Sequence, residues 1–435
     1  MILSKKITQH LTELHQQYTN DGTLPSRTQL TGHYDTFRQR FGPDKLQNLD
    51  GEALLETMHD HGNQDSLVYW LEFKNDEEFP AIFGSIAGGS ALKFGIYRRK
   101  ETGIWMTGSP QNQQELTTAK AIKIARRHRD QLIQGVELLA QLPSNGSDED
   151  YRRLQAQMDT LVPDVSQKAW GHKYFSLLYP DKLDDYHNPD YQRFHLITML
   201  QAPPPGEGRY LTAGRYVAIA NELGIPINHL TTMLNQRQNR PYRYWRIGTK
   251  LGGEDSRWQM MRDTNCVAIG WSDIGDLSDI TYGKEAKEKI RSALNKHYPK
   301  TPQVTGKKTQ EIFNFVAVLT EDDIVLPSDG NSILGIGRVT GEYVFEPGSD
   351  APHRRPVEWL SLEEWSLPTS EGLLTTVCEI KKHAQNQIEI ERRILEAPPI
   401  EPRPTGGGSI GPTPPRSVRL SGVPGRIQAV LERKC

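Results

Sequence analysis

The 435-residue sequence predicts a multidomain α+β protein. We expect an N-terminal α/β domain, a helical middle domain, a small mixed β-barrel, a C-terminal helix and a disordered Pro/Gly linker. The length exceeds that of one ordinary domain. Apolar residues recur at helical spacing in some segments and form short β-type runs in others. A stretch rich in proline and glycine follows the last predicted helix.

The first predicted domain covers residues 1–142. After an amphipathic helix at 2–18, a β-rich stretch is expected, with the runs SLVYWLEFK, FPAIFGSIAGGSALKFGIYRRK and GIWMTG. Gly88-Gly89 lies between two apolar runs and favours a hairpin turn, because glycine adopts positive φ without strain. A long helix at 116–142 closes this domain, and PSNGSDED after it is typical of a linker.

The remaining chain divides by composition. Residues 150–236 are expected to be helical, with the aromatic-rich stretch AWGHKYFSLLYPDKLDDYH as a helix-packing core. From residue 239 onward, short β runs alternate with two helical stretches. Seven Pro and four Gly among residues 397–415 predict a tether. The predicted boundaries are 150–236 for the helical domain, 239–366 for the barrel, 369–396 for the last helix, 397–416 for the disordered linker and 417–435 for the start of a further domain.

Composition excludes several classes of protein. No apolar run approaches the roughly 20 residues that span a bilayer, so we expect a cytoplasmic protein with no membrane partner. Three cysteines are too few and too scattered for a disulfide framework or a thiolate zinc site. The net charge of −2 excludes a global polycation, so any nucleic-acid contact must come from a local patch.

Enzyme signatures are mostly missing, and the sequence predicts no catalytic residue, metal site or cofactor in this chain. A phosphate-binding G-x-x-x-x-G-K-[ST] loop is not found, nor is H-E-x-x-H, C-x-x-C or G-x-S-x-G. An alternative is a metal-dependent nuclease in which Asp65 and Glu72 hold Mg²⁺ and Lys74 lies near the phosphate. Histidines such as His128 and His195 show no ligand spacing and are interpreted as structural or surface residues.

Basic and aromatic residues cluster in the third predicted domain. Residues 237–262 carry seven Arg or Lys against two acidic residues, a local charge of +5, with two tyrosines and two tryptophans interleaved. Residues 281–310 carry eight against two, a local charge of +6. Basic side chains neutralise phosphates and aromatic faces stack on unpaired bases, so the pattern predicts a nucleic-acid-binding surface.

Four ordered motifs within residues 242–362 resemble an EVE domain of the PUA/YTH-like superfamily. They are YWRIGTKLGGEDSRW, CVAIGWSDIGDLSDI, DIVLPSDGNSILGIGRVTGEYVFEP and HRRPVEWL. The resemblance implies that a flipped, modified base is held in an aromatic cage, which makes modified double-stranded DNA the expected partner. The implied base-binding residues are Trp245, Trp258, Trp271, Ser328 and Asp329. The implied phosphate-binding residues are Lys250, Arg257, Arg338, Arg354 and Arg355.

The flanking sequences GGSALKFGIYRRKETGIWMTG, KYFSLLYPDKLDDYH and SGVPGRIQAVLERK are similar to the N-terminal half of McrB-type restriction proteins. That resemblance implies a sensor of modified DNA in an anti-phage defence system, working with an AAA+ motor and a McrC-like nuclease subunit. GTP or ATP with Mg²⁺ is implied only for the motor, because the sequence ends at Cys435 before any Walker motif. An RNA-binding PUA/YTH-like module and an assembly scaffold remain alternatives.

Overall fold

A computed structural model describes residues 2–74, 78–86, 88, 90–206, 208–238, 240–250, 255–281 and 283–397. The α-helices are α1 (Lys5–Asn20), α2 (Arg27–Phe41), α3 (Pro43–Leu46), α4 (Gly51–His59), α5 (Leu67–Glu72), α6 (Phe79–Ile82), α7 (Thr118–Gln141), α8 (Asp148–Leu161), α9 (Pro163–Ser166), α10 (Ala169–Leu178), α11 (Pro189–Thr198), α12 (Arg209–Leu223), α13 (Ile227–Arg237), α14 (Trp258–Asp263), α15 (Lys284–His297), α16 (Pro302–Phe313) and α17 (Ala384–Glu396). The strands are β1 (Ile96–Arg98), β2 (Trp105–Ser109), β3 (Asn112–Leu116), β4 (Tyr244–Gly248), β5 (Cys266–Ile269), β6 (Ile324–Asp329), β7 (Ser332–Ile333), β8 (Ile336–Val339), β9 (Val344–Phe345), β10 (His353–Ser361), β11 (Trp365–Ser366) and β12 (Val377–Glu379).

The protein is a mixed helix-and-sheet structure, as the sequence predicts. The described residues fall in a compact unit of residues 1–398, and the predicted tether and the final segment lie outside them, except for Ala397. No helix among the described residues is both long and apolar enough to cross a membrane.

Helices dominate residues 2–238, and a single cluster of buried apolar side chains runs from Leu3 to Leu234. Serines begin several of these helices: Ser26 caps α2 and Ser147 caps α8, each in a reciprocal capping box. The long helix expected at 116–142 is confirmed as α7. It packs on α8 across the short connection that the sequence marks as a linker.

The β-rich prediction for this stretch is wrong for the first run and for the start of the second, whose end forms β1. SLVYWLEFK forms α5, capped by the Ser66 hydroxyl, which accepts from the Tyr69 N–H at 3.2 Å. FPAI forms α6. Among the described residues of this stretch, β1, β2 and β3 form the sheet, in antiparallel order. The expected hairpin falls partly outside the described residues at Gly89. A short, continuously apolar run fits a buried helix turn as well as a buried strand.

The larger sheet follows the order β12-β4-β6-β8-β10-β5, with β7 and β11 extending it beside β6, and β9 beside β10. β4 and β6 run parallel, and the other pairs are antiparallel. The described strands form an open sheet and not the expected closed barrel. Ile290 of α15 and Ile312 of α16 share one apolar core with the strands, so helices cover this face of the sheet.

The predicted helix at 369–396 begins only at Ala384. Residues before it form a turn with Gly372 at φ +74° and then β12, which pairs with β4. The helix itself, α17, packs on α11 and β10. Its Glu391 is buried and accepts hydrogen bonds from the hydroxyls of Tyr242, at 2.7 Å, and Tyr244, at 2.8 Å. Burial raises the pKa of this carboxyl.

Candidate nucleic-acid interface

The carboxyl ends of β4 and β6 meet at one edge of the larger sheet, where Gly248 is in register with Ser328. Thr249 donates its backbone N–H and its hydroxyl to the Ser328 carbonyl, at 3.0 and 3.1 Å. The Ser256 hydroxyl donates to that of Thr249 at 2.9 Å. We call residues 248–250, 256–258 and 328–329 the strand-end site. It is a candidate binding site because ligands commonly bind outside the carboxyl ends of parallel strands in open sheets.

Two predicted site residues pair with each other at this edge. The Lys250 ammonium lies 3.0 Å from the Asp329 carboxylate, and both side chains are more than a third exposed. An ion pair this exposed contributes about 0–1 kcal/mol to the stability of the fold. A charged group of a ligand can therefore replace either partner at little cost in free energy. The strand-end site therefore offers one cation for a phosphate and one carboxylate acceptor for an amino group.

Trp271 follows β5 in a strained backbone conformation, with φ +65°. A bulky residue rarely occupies the left-handed region, and such outliers concentrate at functional sites. Its carbonyl accepts from His353 Nε2 at 3.3 Å, and the Tyr343 hydroxyl donates to His353 Nδ1 at 2.7 Å. Burial lowers the pKa of His353, which favours the neutral ring that this arrangement needs. The surrounding structure thus holds the backbone of Trp271, whose side chain is partly exposed.

A chain of contacts joins Trp271 to the strand-end site. The Lys308 ammonium lies 5.6 Å from the centre of the Trp271 ring and 3.1 Å from the Glu311 carboxylate. That carboxylate accepts from the Thr376 N–H at 2.8 Å, and the Thr376 carbonyl accepts from the Gly248 N–H at 2.7 Å. A chain of contacts through the buried Glu311 carboxylate therefore links the indole and the lysine to the ends of the parallel strands.

Trp258 borders the same edge from the start of α14. The preceding residue, Arg257, donates its backbone N–H to the Thr249 carbonyl at 2.9 Å. The half-buried Trp258 ring meets Trp359 of β10 edge-on, with centroids 5.0 Å apart. The close approach of Trp258 to Gly335 leaves no room for a Cβ at that glycine. Trp258 is thus partly a packing residue, and Trp359 is an indole that the sequence analysis did not assign to the site.

The structure does not support the assignment of Trp245 to a base cage. Its side chain is 1% exposed and lies in the apolar core shared by the strands and α15–α16. The indole N–H donates to the Asp323 carboxylate at 2.9 Å, and burial raises the pKa of that carboxyl. With no face open to solvent, this ring has no surface on which a base could stack.

Arg355, expected to bind phosphate, is also buried. Its guanidinium donates to the carbonyls of Phe315, Val316 and Gly341, at 3.2, 2.5 and 3.4 Å. Two of these carbonyls belong to the π-helical turn Asn314–Val318, whose irregular backbone leaves acceptors without regular α-helical partners. Burial lowers the pKa of Arg355 to about 10. Its role in this structure is to hold that turn against β10.

The other predicted site residues differ in their surroundings. Ser328 is buried, and its hydroxyl donates to the Ile247 carbonyl at 3.3 Å. Arg257 pairs with Asp350. Arg354 donates to the Ala351 carbonyl at 3.1 Å. Arg338 of β8 is opposite Glu358 in the sheet register. The strand-end site thus includes Lys250, Arg257, Trp258, Ser328 and Asp329; Trp271 reaches it through Lys308, and the remaining arginines do not contact it.

The helical hairpin α15–α16 carries most of the positive charge beside Trp271. It packs against the short turn Ser272–Ile274 that follows this tryptophan, and the Tyr298 hydroxyl accepts from the Asp273 N–H at 3.2 Å. Exposed cations on the hairpin and its connection include Lys284, Lys296, Lys300 and Lys307. Sequence reasoning counted these lysines only as a charge sum, and Lys308 could not be singled out because its contact depends on the fold.

The proposed nuclease residues do not converge. Glu72 ends α5, is buried, and pairs with Lys93. Asp65 is exposed and pairs with Arg40. The Lys74 ammonium lies 4.8 Å from the centre of the Trp70 ring. Among the described residues, no group of three His, Cys, Asp or Glu side chains could hold a metal ion. This geometry offers no open carboxylate pair for Mg²⁺.

A second group of polar residues lies inside the helical part. The Lys173 ammonium donates to the Gly84 carbonyl at 2.7 Å, and burial lowers its pKa to about 7. The Asp185 carboxylate accepts from Asn228 at 2.7 Å, and burial raises its pKa to about 6. Two histidine pairs accompany them, His59 with His128 at 3.2 Å and His172 with His187 at 3.0 Å. These histidines are core residues.

A family model described as "Domain of unknown function (DUF8426)" matches residues 245–373. The match covers the larger sheet from β4 to the turn before β12. Comparison with curated proteins gave no match, and comparison with solved structures gave none.

Proposed function

We propose that residues 242–362 form an EVE-like module that binds a modified base extruded from double-stranded DNA. The observation that carries this proposal is the strained, half-exposed Trp271, fixed by His353 and covered by Lys308. Stacking on such a ring recovers part of the few kcal/mol that extrusion of a base costs. We also propose that this module has a PUA/YTH-like architecture.

In this proposal Trp271 supplies the stacking face, and Trp258 borders the strand-end site. The Asp329 carboxylate accepts a hydrogen bond from an exocyclic amino group, as carboxylates do for cytosine. Lys250, released from Asp329, contacts the adjacent phosphate. The basic hairpin α15–α16 lies along the duplex, where each neutralised phosphate adds to the salt dependence of binding.

The proposal is tested with duplexes of one sequence that carry a single 5-methylcytosine, 5-hydroxymethylcytosine, N4-methylcytosine, N6-methyladenine or no modification. Tighter binding of one modified duplex, measured by fluorescence anisotropy at fixed salt, supports base reading. Equal affinity for all five rejects it. RNA of the same sequence tests the alternative of an RNA-binding module, which requires that RNA bind more tightly than every duplex.

Trp271→Ala is expected to weaken binding of the preferred duplex by about 1–3 kcal/mol, because a stacked base loses its partner. Trp271→Phe keeps a ring and should recover part of the loss. Binding of unmodified DNA, which depends on the lysines, should change little in both variants. An unchanged preference for the modified duplex in Trp271→Ala would remove Trp271 from the site.

The similarity of the flanking sequences to McrB-type proteins supports a wider proposal. In it, this module binds modified DNA and thereby directs an AAA+ motor and a McrC-like nuclease to that DNA. Co-expression with an AAA+ motor and a McrC-like nuclease tests it. We expect NTP-dependent cleavage of modified DNA that is lost with Trp271→Ala. Cleavage that does not depend on this chain would contradict the wider proposal and leave base reading intact.

A further inference from the structure

The turn between β11 and β12 exposes two leucines. Leu374 is 86% exposed and Leu373 is 43% exposed, and no other large apolar residue among the described residues is as exposed as Leu374. Single exposed leucines are common on protein surfaces and need no explanation by themselves. Two further features distinguish this turn from other exposed leucines: buried hydrogen bonds hold it in place, and it lies next to the proposed base-binding surface.

The turn is held rigidly from below. The buried Arg246 guanidinium donates to the carbonyls of Gly372 and Thr375, at 2.9 and 3.0 Å. The Thr375 hydroxyl donates to the Gly372 carbonyl at 2.6 Å. Gly372 adopts φ +74°, and a Cβ there would lie 2.7 Å from the Cys378 Cβ. A buried arginine and a required glycine thus fix a turn whose tip is apolar and open to solvent.

The tip adjoins the proposed base-binding surface. Thr376, two residues after Leu374, bonds to both Glu311 and Gly248. The Lys307 ammonium donates to the Leu374 carbonyl at 3.0 Å, and the next residue, Lys308, covers Trp271. Adjacent lysines of α16 therefore contact the leucine turn and the indole, which places both beside this helix.

We propose that Leu374 inserts into the DNA stack and fills the space left by the extruded base, with Leu373 packed beside it. Proteins that distort duplexes commonly insert apolar side chains between bases, and the inserted group offsets part of the cost of unstacking. The lysines around the turn match a phosphate backbone in charge. This inference rests on the proposed function and extends it to residues beyond the resembling motifs.

Leu374→Ala should weaken binding of the preferred modified duplex by about 10- to 100-fold, the range for truncation of a leucine that binding buries. Binding of a single strand with the same modified base should stay within about twofold, because it has no stack to fill. The loss should shrink when the modified base faces a mismatched partner, since its extrusion costs less. Leu374→Met should retain most of the affinity.

Leu161→Ala, at an exposed leucine of α8, is the matched control and should bind like the wild type. If Leu374→Ala binds the modified duplex as well as the wild type does, while Trp271→Ala does not, insertion is rejected and base reading stands. If the wild type has no preference for any modified duplex, both proposals fail. Equal losses on duplex and single strand also overturn insertion.

Discussion

Lowering the pH from 7 to 5 is expected to destabilise the helical part by several kcal/mol. Burial lowers the pKa of His128 to about 4 and the pKa values of His187 and His195 to about 3. It also lowers the pKa values of His59 and His172 well below 6.5. The unfolded chain binds protons at these rings below pH 6.5, whereas the native state does not. The native state therefore loses stability as the pH falls through this window.

Two buried carboxyls act in the opposite direction. Burial raises the pKa of Asp184 to about 8 and that of Asp185 to about 6. At pH 5 the native state holds protons on these groups that the unfolded chain releases. In the helical part these histidines outnumber these carboxyls, so unfolding takes up protons and the free energy of unfolding falls as the pH drops toward 5.

Urea unfolding at pH 7, 6 and 5 measures this dependence. His195→Phe supplies the control, because His195 stacks on Tyr186 with centroids 4.8 Å apart and its Nε2 has no hydrogen-bond partner. This variant should lower the slope by about one proton, or about 1.4 kcal/mol per pH unit. A stability that is flat between pH 7 and 5 would contradict the buried, neutral histidines.

Trp245→Ala is expected to destabilise the protein by about 3–5 kcal/mol, because it opens a cavity in the core of the larger sheet. It also removes a hydrogen bond from the buried Asp323 carboxylate. Trp245→Phe retains most of the volume and should cost less. Trp271→Ala should affect stability far less than Trp245→Ala, since Trp271 is only half-buried.

Chemical denaturation and DNA binding, measured on the same variants, separate these roles. Trp245→Ala should shift the unfolding midpoint, whereas Trp271→Ala should shift affinity. If Trp245→Ala leaves the midpoint unchanged and abolishes only the preference for modified DNA, the ring is a ligand contact and its burial here does not describe the binding state.

Sequence patterns located most strands of the larger sheet but could not separate core tryptophans from surface ones. In β4, Tyr244, Trp245, Arg246 and Ile247 are all buried, so no alternation marks an outward face. The positive φ of Trp271 carries no local signal, because glycine or asparagine normally occupies such positions. Arg355 was assigned to phosphate binding because it is an arginine in a resembling motif. Its actual partners are backbone carbonyls that are close to it only in the folded protein.

The errors in the helix and strand assignments have related causes. Leu373, Val377 and Ile380 have helical spacing, yet Gly372 turns the chain and Val377 pairs with Ile247 on a sheet edge. Tertiary pairing here outweighs local periodicity. The sequence analysis interpreted the histidines as structural or surface residues, but it could not foresee their pairing. His59 and His128, for example, come from α4 and α7 and leave no spacing to recognise.

Glu391 gives α17 a direct mechanical connection to the strand-end site. Because its carboxylate holds the hydroxyls of Tyr242 and Tyr244, tension applied to this helix is transmitted to the beginning of β4. The other end of that strand, Gly248, lies about 13 Å further along a fully hydrogen-bonded backbone. Displacement of α17 would therefore strain the beginning of β4, the strand whose other end belongs to the strand-end site.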